Sequence, residues 1–264
     1  PTRPAPRSAP RTAWGWAWAG ALVGVLPAVM AFAPAHWLAG GVARATQGQV
    51  QLLQPRGTVW TGSAQLVLTG GQASKDSAAL PGRVDWQLRP TWSGLRARLQ
   101  AGCCTAEPLQ AQVHLRWVGP QITLADGQSQ WPAALLAGLG TPWNTLQPQG
   151  QLALQTRALA VQWAAGRMVL SGQAQLDARA MSSRLSTLRP MGSYRLVLQG
   201  GEVPTLALST LDGALQLSGS GQWVGNRLRF AGEASATPER EAALSNLLNI
   251  IGRRNGARSI ITVG

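Results

Sequence analysis

The sequence is poor in the groups that most enzymes and metal proteins use. It has two histidines, two cysteines, one tyrosine and a single lysine, Lys75, in 264 residues. It has only 10 acids, and none precedes Asp76. These counts exclude a disulfide-dense scaffold, a histidine–cysteine metal cluster and an acidic disordered chain. Charged residues are 12% of the chain, about half the ~25% of ordinary domains. There is no glycine-rich phosphate loop carrying a lysine. His114 alternates with Val113 and Leu115, which puts it on the polar side of a strand, and a nucleophile needs a positioned base beside it. The acids show no recurring paired spacing. The sequence therefore names no catalytic residue, no cofactor and no metal ligand, and the expectation is a protein that is not an enzyme.

Arginine, tryptophan and small apolar residues are what the chain does have. Arginine supplies every basic residue but one, the net charge is +13, and there are 12 tryptophans. The basic residues are dispersed, without the compact basic patch and interleaved aromatics of a nucleic-acid surface, so no nucleic-acid partner is expected. Attraction to anionic lipid or to an acidic partner is the functional reading of the charge.

The N-terminus points to a membrane. Residues 1–12 carry Arg3, Arg7 and Arg11, and no charged residue follows between Ala13 and Ala43. An apolar run over 13–35 is long enough to cross a hydrocarbon core of ~30 Å. Trp14, Trp16 and Trp18 sit at one end of it and Trp37 at the other, as interfacial belts require. Leu22 and Leu26 lie between them, and Trp18 to Trp37 spans about 28 Å as helix. Basic residues favour the cytoplasmic side. The expected organisation is a cytoplasmic tail over 1–12, a single transmembrane helix over 13–35, a linker over 36–48 and a periplasmic β-rich domain over 49–264. A cleaved signal peptide is the alternative, with small-x-small sites at Ala33-Pro34-Ala35 and Ala43-Arg44-Ala45.

Beyond residue 48 the dominant signal is period-two alternation, the mark of a half-buried strand. It recurs at 59–69, 83–89, 95–100, 111–117, 159–163, 168–178, 194–199, 215–223 and 228–234, and more weakly at 49–53, 122–125 and 151–155. One face collects Trp60, Leu66, Leu68, Trp86, Leu88, Leu170, Leu176, Leu217 and Trp223; the other collects arginine, glutamine and serine. Strand following strand with glycine, proline and asparagine between them predicts an antiparallel meander. The apolar face also carries Gly62, Gly172, Gly219, Gly221 and Gly232, and glycine inside a strand marks a bend or a close approach. The fold class is mainly β. The expected form is a strongly curved antiparallel sheet, a half-barrel or trough, with a β-sandwich as the alternative.

Trp131–Leu139 and Pro238–Ile251 read as helical. The second has Thr237 as a cap candidate, Pro238 in its first turn and an apolar stripe of Leu244, Leu247, Leu248 and Ile251. Asn255-Gly256 then turns into a last strand over 259–263. Cys103 and Cys104 are adjacent, and outside the inner membrane they either form a vicinal disulfide at a turn or remain two thiols. There is also a faint internal echo: Gly57–Ala64 resembles Gly166–Ala174, Leu217–Trp223 is a third candidate copy, and Leu-Arg-Pro recurs at 88–90 and 188–190.

Four features together resemble the N protein of the bacterial type II secretion system, also called general secretion pathway protein N. They are the N-terminal span, Gly57-Thr-Val-Trp-Thr-Gly-Ser-Ala64, Val84-Asp-Trp-Gln-Leu-Arg-Pro90, and the ending Leu247-Leu248-Asn249-Ile250-Ile251-Gly252-Arg253-Arg254. The resemblance implies an accessory subunit of the inner membrane, acting by protein–protein contact in export of folded proteins across the outer membrane. It also implies an architecture similar to AsmA-like membrane-bridging β proteins. Other type II secretion subunits and the inner-membrane bilayer are the implied partners. An apolar trough that takes acyl chains is the rival reading of the same face.

Overall fold

The computed structural model describes residues 18, 21, 24, 25, 28–71, 74–116, 119–164, 167–225 and 227–264. Most of the expected span, with Trp14, Trp16, Leu22 and Leu26, lies outside them. Residues 28–31 are helical. No helix among the described residues is long and apolar enough to cross a membrane.

The 16 strands form one antiparallel sheet, not the two of a sandwich. They are β1 Val50–Gly57, β2 Thr61–Thr69, β3 Ser77–Ala79, β4 Val84–Thr91, β5 Gly94–Ala101, β6 Leu109–Arg116, β7 Gly119–Leu124 and β8 Gly127–Pro132. There follow β9 Gln149–Ala164, β10 Arg167–Ser182, β11 Gly192–Gly201, β12 Thr205–Gly213, β13 Leu215–Val224, β14 Arg227–Ala236, β15 Arg253–Asn255 and β16 Arg258–Val263. The spatial order is β1-β2-β4-β5-β6-β7-β9-β10-β11-β12-β13-β14-β16-β15, so almost every strand pairs with its neighbours in sequence. β3 adds to one end of β2, and β8 continues the line of β7 along β9. At that junction the Asp126 carboxylate accepts from the Ala158 N–H at 2.6 Å, and the Thr156 hydroxyl donates to the Ala125 carbonyl at 3.0 Å.

Cross-strand partners share a face, so the pairing fixes the sides. Leu66 pairs with Leu52, Trp86 with Leu99 and Gly62, Leu176 with Leu154 and Leu196, and Leu217 with Ala234. Three pieces cover this apolar face. Helix α1, Ala35–Ala45, contributes the buried Ala35 to a cluster with Ala64 and Trp86, against which its Leu38 packs alongside Leu52 and Leu88 of the sheet. A 3-10 segment, Ala133–Leu139, runs into the one-turn helix α2, Trp143–Leu146. Helix α3, Glu241–Ile251, buries Leu244, Leu247 and Leu248 against Tyr194, Leu215 and Ala234.

Several sequence expectations need adjusting. Helix α1 starts at Ala35 and takes up most of the stretch 36–48 read as a linker. Its two glycines give it poor helix propensity, and packing on the sheet supports it instead. Trp131 belongs to β8, and the helical turn begins only at Ala133. Thr237 flanks a 3-10 turn over Pro238–Arg240, but its side chain makes no capping hydrogen bond. After α3 the chain continues through Gly252 in an extended conformation. The first two copies of the internal echo both follow a hairpin tip down a strand, β2 and β10, whereas the third lies in β13, which runs the other way.

Gly172 lies in a bulge, where β10 shifts register against both β9 and β11. Its φ is +80°, and a Cβ there would collide with the Ala158 carbonyl. Room for the bend, not room on the apolar face, is therefore what the glycine provides. Gly172→Val is expected to cost about 2–4 kcal/mol from strain and overlap. Gln173→Val, whose neighbour is in the regular ladder, should cost far less. Thermal melts of the two variants side by side check this, and equal melting temperatures would refute it.

Candidate functional site

The apolar face holds two cavities, each of about 310 Å³. The first lies between α1 and strands β1–β5, with Leu38, Val42, Leu52, Trp86, Leu88 and Leu99 among its walls. The second lies under α2 and α3, against Leu176, Tyr194, Leu208, Leu215 and Leu217. Of the residues picked out as an apolar face, Leu66, Trp86 and Leu88 line the first cavity and Leu176 and Leu217 the second. Leu68 packs in the cluster around Leu80 and Leu135. Leu170 is buried, and Trp223 is half-buried opposite Leu228. Trp60 falls outside the strand ladder, in the β1–β2 turn, where its indole N–H donates to the Met30 carbonyl at 2.7 Å.

That turn is a clamp on the N-terminal segment. The Val59 N–H donates to the Ala33 carbonyl at 2.8 Å, and Pro34 bridges to Thr58. From below, the Trp86 indole N–H reaches the Val59 carbonyl at 3.0 Å, and a Cβ on Gly62 would strike its ring. The tryptophan spacing of the first motif therefore serves to seat the incoming chain. Of the anchor residues that are described, Trp18 and Trp37 are exposed.

The C-terminal motif divides by face. Leu247 and Leu248 are buried, Asn249 and Ile250 are exposed, and Ile251 lines the second cavity. Gly252 leads into β15, which holds Arg253 and Arg254. Arg254 pairs with Glu241 at 2.8 Å, and the buried Ser259 hydroxyl donates to the Leu248 carbonyl at 2.6 Å. The motif thus welds α3 to β15 and β16.

Two further features stand apart from the apolar face, the first of them one of the two readings open for the adjacent cysteines and the second without a local sequence signal. Cys103 and Cys104 are joined in a vicinal disulfide in the turn after β5, with Cys104 buried beside Leu80 and Ala101. The Cys104 carbonyl accepts from the Gln130 N–H at 2.8 Å, so this turn ties β5 to β8. The second is Asp177, buried on the polar side of β10. Its oxygens accept from Arg195 Nε and Nη2 at 2.8 and 2.9 Å, from Gln175 at 3.1 Å and from Arg179 at 3.4 Å. The Arg195 fork is the main cause holding the carboxyl at about 2, against the opposing effect of burial. Asp177 and Arg195 face each other across the β10–β11 ladder, a pairing no local pattern reveals. His114 stands on the polar face with its Nδ1 3.2 Å from the Ser93 hydroxyl.

In the second cavity the Tyr194 hydroxyl is buried and has no hydrogen-bond partner. Burial, with the nearby Asp212 charge, pushes its pKa upward. Apart from this atom and two serines at its margin, Ser182 and Ser183, the cavity is lined by apolar residues, so what the site offers is a surface to cover or fill.

Two outcomes follow. Leu248→Ala removes a fully buried side chain and should cost about 2–5 kcal/mol, or roughly 5–15 °C of melting temperature. Ile250→Ala, on the exposed side of the same helix, should stay within about 0.5 kcal/mol. An unchanged Leu248→Ala melt would place the stripe outside the core. For Asp177 the folded pKa lies below the unfolded value. Its stabilisation is therefore complete above about pH 4 and lost as pH falls towards 2. Asp177→Asn should remove about 1–2 kcal/mol at neutral pH, because Arg195 is itself partly exposed. The gap between mutant and wild type should close in acid, and a gap independent of pH would refute the assignment.

The family model described as type II secretion system (T2SS), protein N, matches residues 48–261. No curated protein and no solved structure shows a significant match to the chain. The matched stretch runs from just before β1 into β16, which takes in nearly the whole sheet and the motifs at 57–64, 84–90 and 247–254, and the chain belongs to the type II secretion system protein N family.

Proposed function

We propose that the chain acts as a non-enzymatic accessory subunit of type II secretion, held at the inner membrane by residues 13–35, with its sheet in the periplasm. The observation that carries this is the family match over nearly the whole sheet. The uncharged N-terminal run and the clamp that Val59 and Trp60 place on Ala33 and Met30 support the anchored arrangement. On this reading residues 1–12 are a cytoplasmic tail, and residues 49–264 are one periplasmic domain curved about its apolar face. The face or the sheet edges would then receive other subunits of the machine, since an unpaired edge readily accepts a further strand.

The two apolar cavities favour a second reading, in which the same face shelters acyl chains in an AsmA-like trough. Both readings need Trp86, Leu88, Leu176 and Leu217 on one side of the sheet.

Purification of the tagged full chain from cells in mild detergent separates them. Recovery of type II secretion subunits, with loss of exported protein when the gene is deleted, is the outcome expected of the accessory role. Unchanged secretion with no subunit recovered would refute it, and phospholipid held in stoichiometric amount after detergent exchange would then favour the trough.

A further inference from the structure

Alternating strand direction sorts the turns between the two edges of the sheet. β1, β4, β6, β9, β11, β13 and β16 run towards one edge, and β2, β5, β7, β10, β12 and β14 run away from it. The hairpin ends at 57–61, 91–94, 116–119, 164–167, 201–205 and 224–227 therefore share that edge, and Val263 ends there too. It is also the edge at which the chain enters, because Ala33 and Met30 are held by the turn at 58–60.

This edge has an unusual surface. Trp92 is fully exposed at the β4–β5 tip, and Trp163, Val203 and Val224 are exposed at or beside three further tips. From β4 to β13 these positions cover nine adjacent strands, about 40 Å of edge at ~4.8 Å per strand. Arg89 and Arg96 stand directly opposite each other just below Trp92, both exposed. Like charges so placed repel, and neither is in an ion pair among the described residues. Arg227 and Arg229 are exposed below the β13–β14 tip. Glu202 is the one acid in the hairpin ends of this edge among the described residues, whereas Asp76, Glu107, Asp212 and Glu239 lie towards the opposite edge. Val29 and Met30 in the short helical stretch before the clamp, and Phe32 in the turn after it, are exposed as well.

Tryptophan and valine at or beside the turns, with arginine three to five residues away along the chain and in no ion pair among the described residues, suit the boundary between hydrocarbon and phosphate. Indole rings settle at headgroup depth, and arginine is drawn to anionic lipid. We propose that this edge of the sheet rests on the bilayer from which the N-terminal helix emerges. The exposed tips enter the headgroup layer, and Arg89, Arg96, Arg227 and Arg229 meet phospholipid phosphates. The proposal rests on the reading of residues 13–35 as a span. It goes beyond that reading by giving the sheet a second, independent membrane contact that holds it upright.

The test uses the full chain in vesicles of two parts phosphatidylcholine to one of phosphatidylglycerol. Nitroxide labels are placed through Trp92→Cys and Val203→Cys, with Glu239→Cys as the reference at the opposite edge. Power-saturation spectroscopy should find the labels at 92 and 203 more accessible to oxygen than to a water-soluble nickel chelate, and the label at 239 the reverse. The oxygen-to-nickel ratio at 92 and 203 should fall in vesicles of phosphatidylcholine alone. A chain that floats with the vesicles but shows the same nickel accessibility at all three positions overturns the edge contact alone. So does a ratio indifferent to phosphatidylglycerol, or labels at 92 and 203 that are shielded only when another secretion subunit is added. A chain that does not float with vesicles overturns the span reading as well.

Discussion

Everything in this molecule follows from a sheet that is apolar on one side only. Leu52, Leu66, Trp86, Leu99, Leu176, Leu196, Leu208 and Leu217 fall on one face because their strands pair in register, and that face must be removed from water. With a single sheet there is no second layer of strands to do it. The cover comes from α1, the 3-10 segment with α2, and α3. These are short, and each closes one region while leaving the cavities between them. The architecture therefore has a fixed need for apolar contact and a limited internal supply. That imbalance is what makes a secretion partner or an acyl chain a sensible complement to the face.

The polar side is organised differently. Most of its arginines and glutamines are solvated, but Asp177 is withdrawn and surrounded by Arg195, Arg179 and Gln175. A paired, buried charge on an otherwise wet face fixes the alignment of β10 with β11 at the place where β10 is also bulged at Gly172. The bulge loosens register and the ion pair restores it a few residues on. A slip of one residue would turn Leu176 and Ala178 outwards, so these two features act on the same degree of freedom.

Much of the fold was legible because alternation is a local signal. The long runs at 215–223 and 228–234 could be assigned a face from sequence, since every second residue votes for the same side, whereas the bulge at Gly172 interrupts that vote within 168–178. What was not legible depends on partners far away in the chain. Helix α1 looks like a linker, as its glycines say little and its support comes from Leu52 and Trp86. Trp60 matches the alternation of β2, yet its role is set by Met30, thirty residues earlier. Asp177 is one polar residue among many until Arg195 is brought opposite. The vicinal disulfide was one of two open readings because a turn cannot be told from its two cysteines alone. For the candidate site, the sequence marked the apolar side chains but not the cavities, which arise from what the covering helices fail to fill.

The meander has a consequence for how such a chain can change in length. Each ascending strand followed by a descending one returns the backbone to the edge it left, so a whole hairpin can be duplicated or lost without altering which turns face which way. A single added strand would exchange the two edges for everything downstream and carry Trp163, Val203 and Val224 to the far side. Growth of the sheet is thus quantised in pairs. The likeness of Gly57–Ala64 to Gly166–Ala174, each copy following a tip down its strand, is the trace such a history would leave.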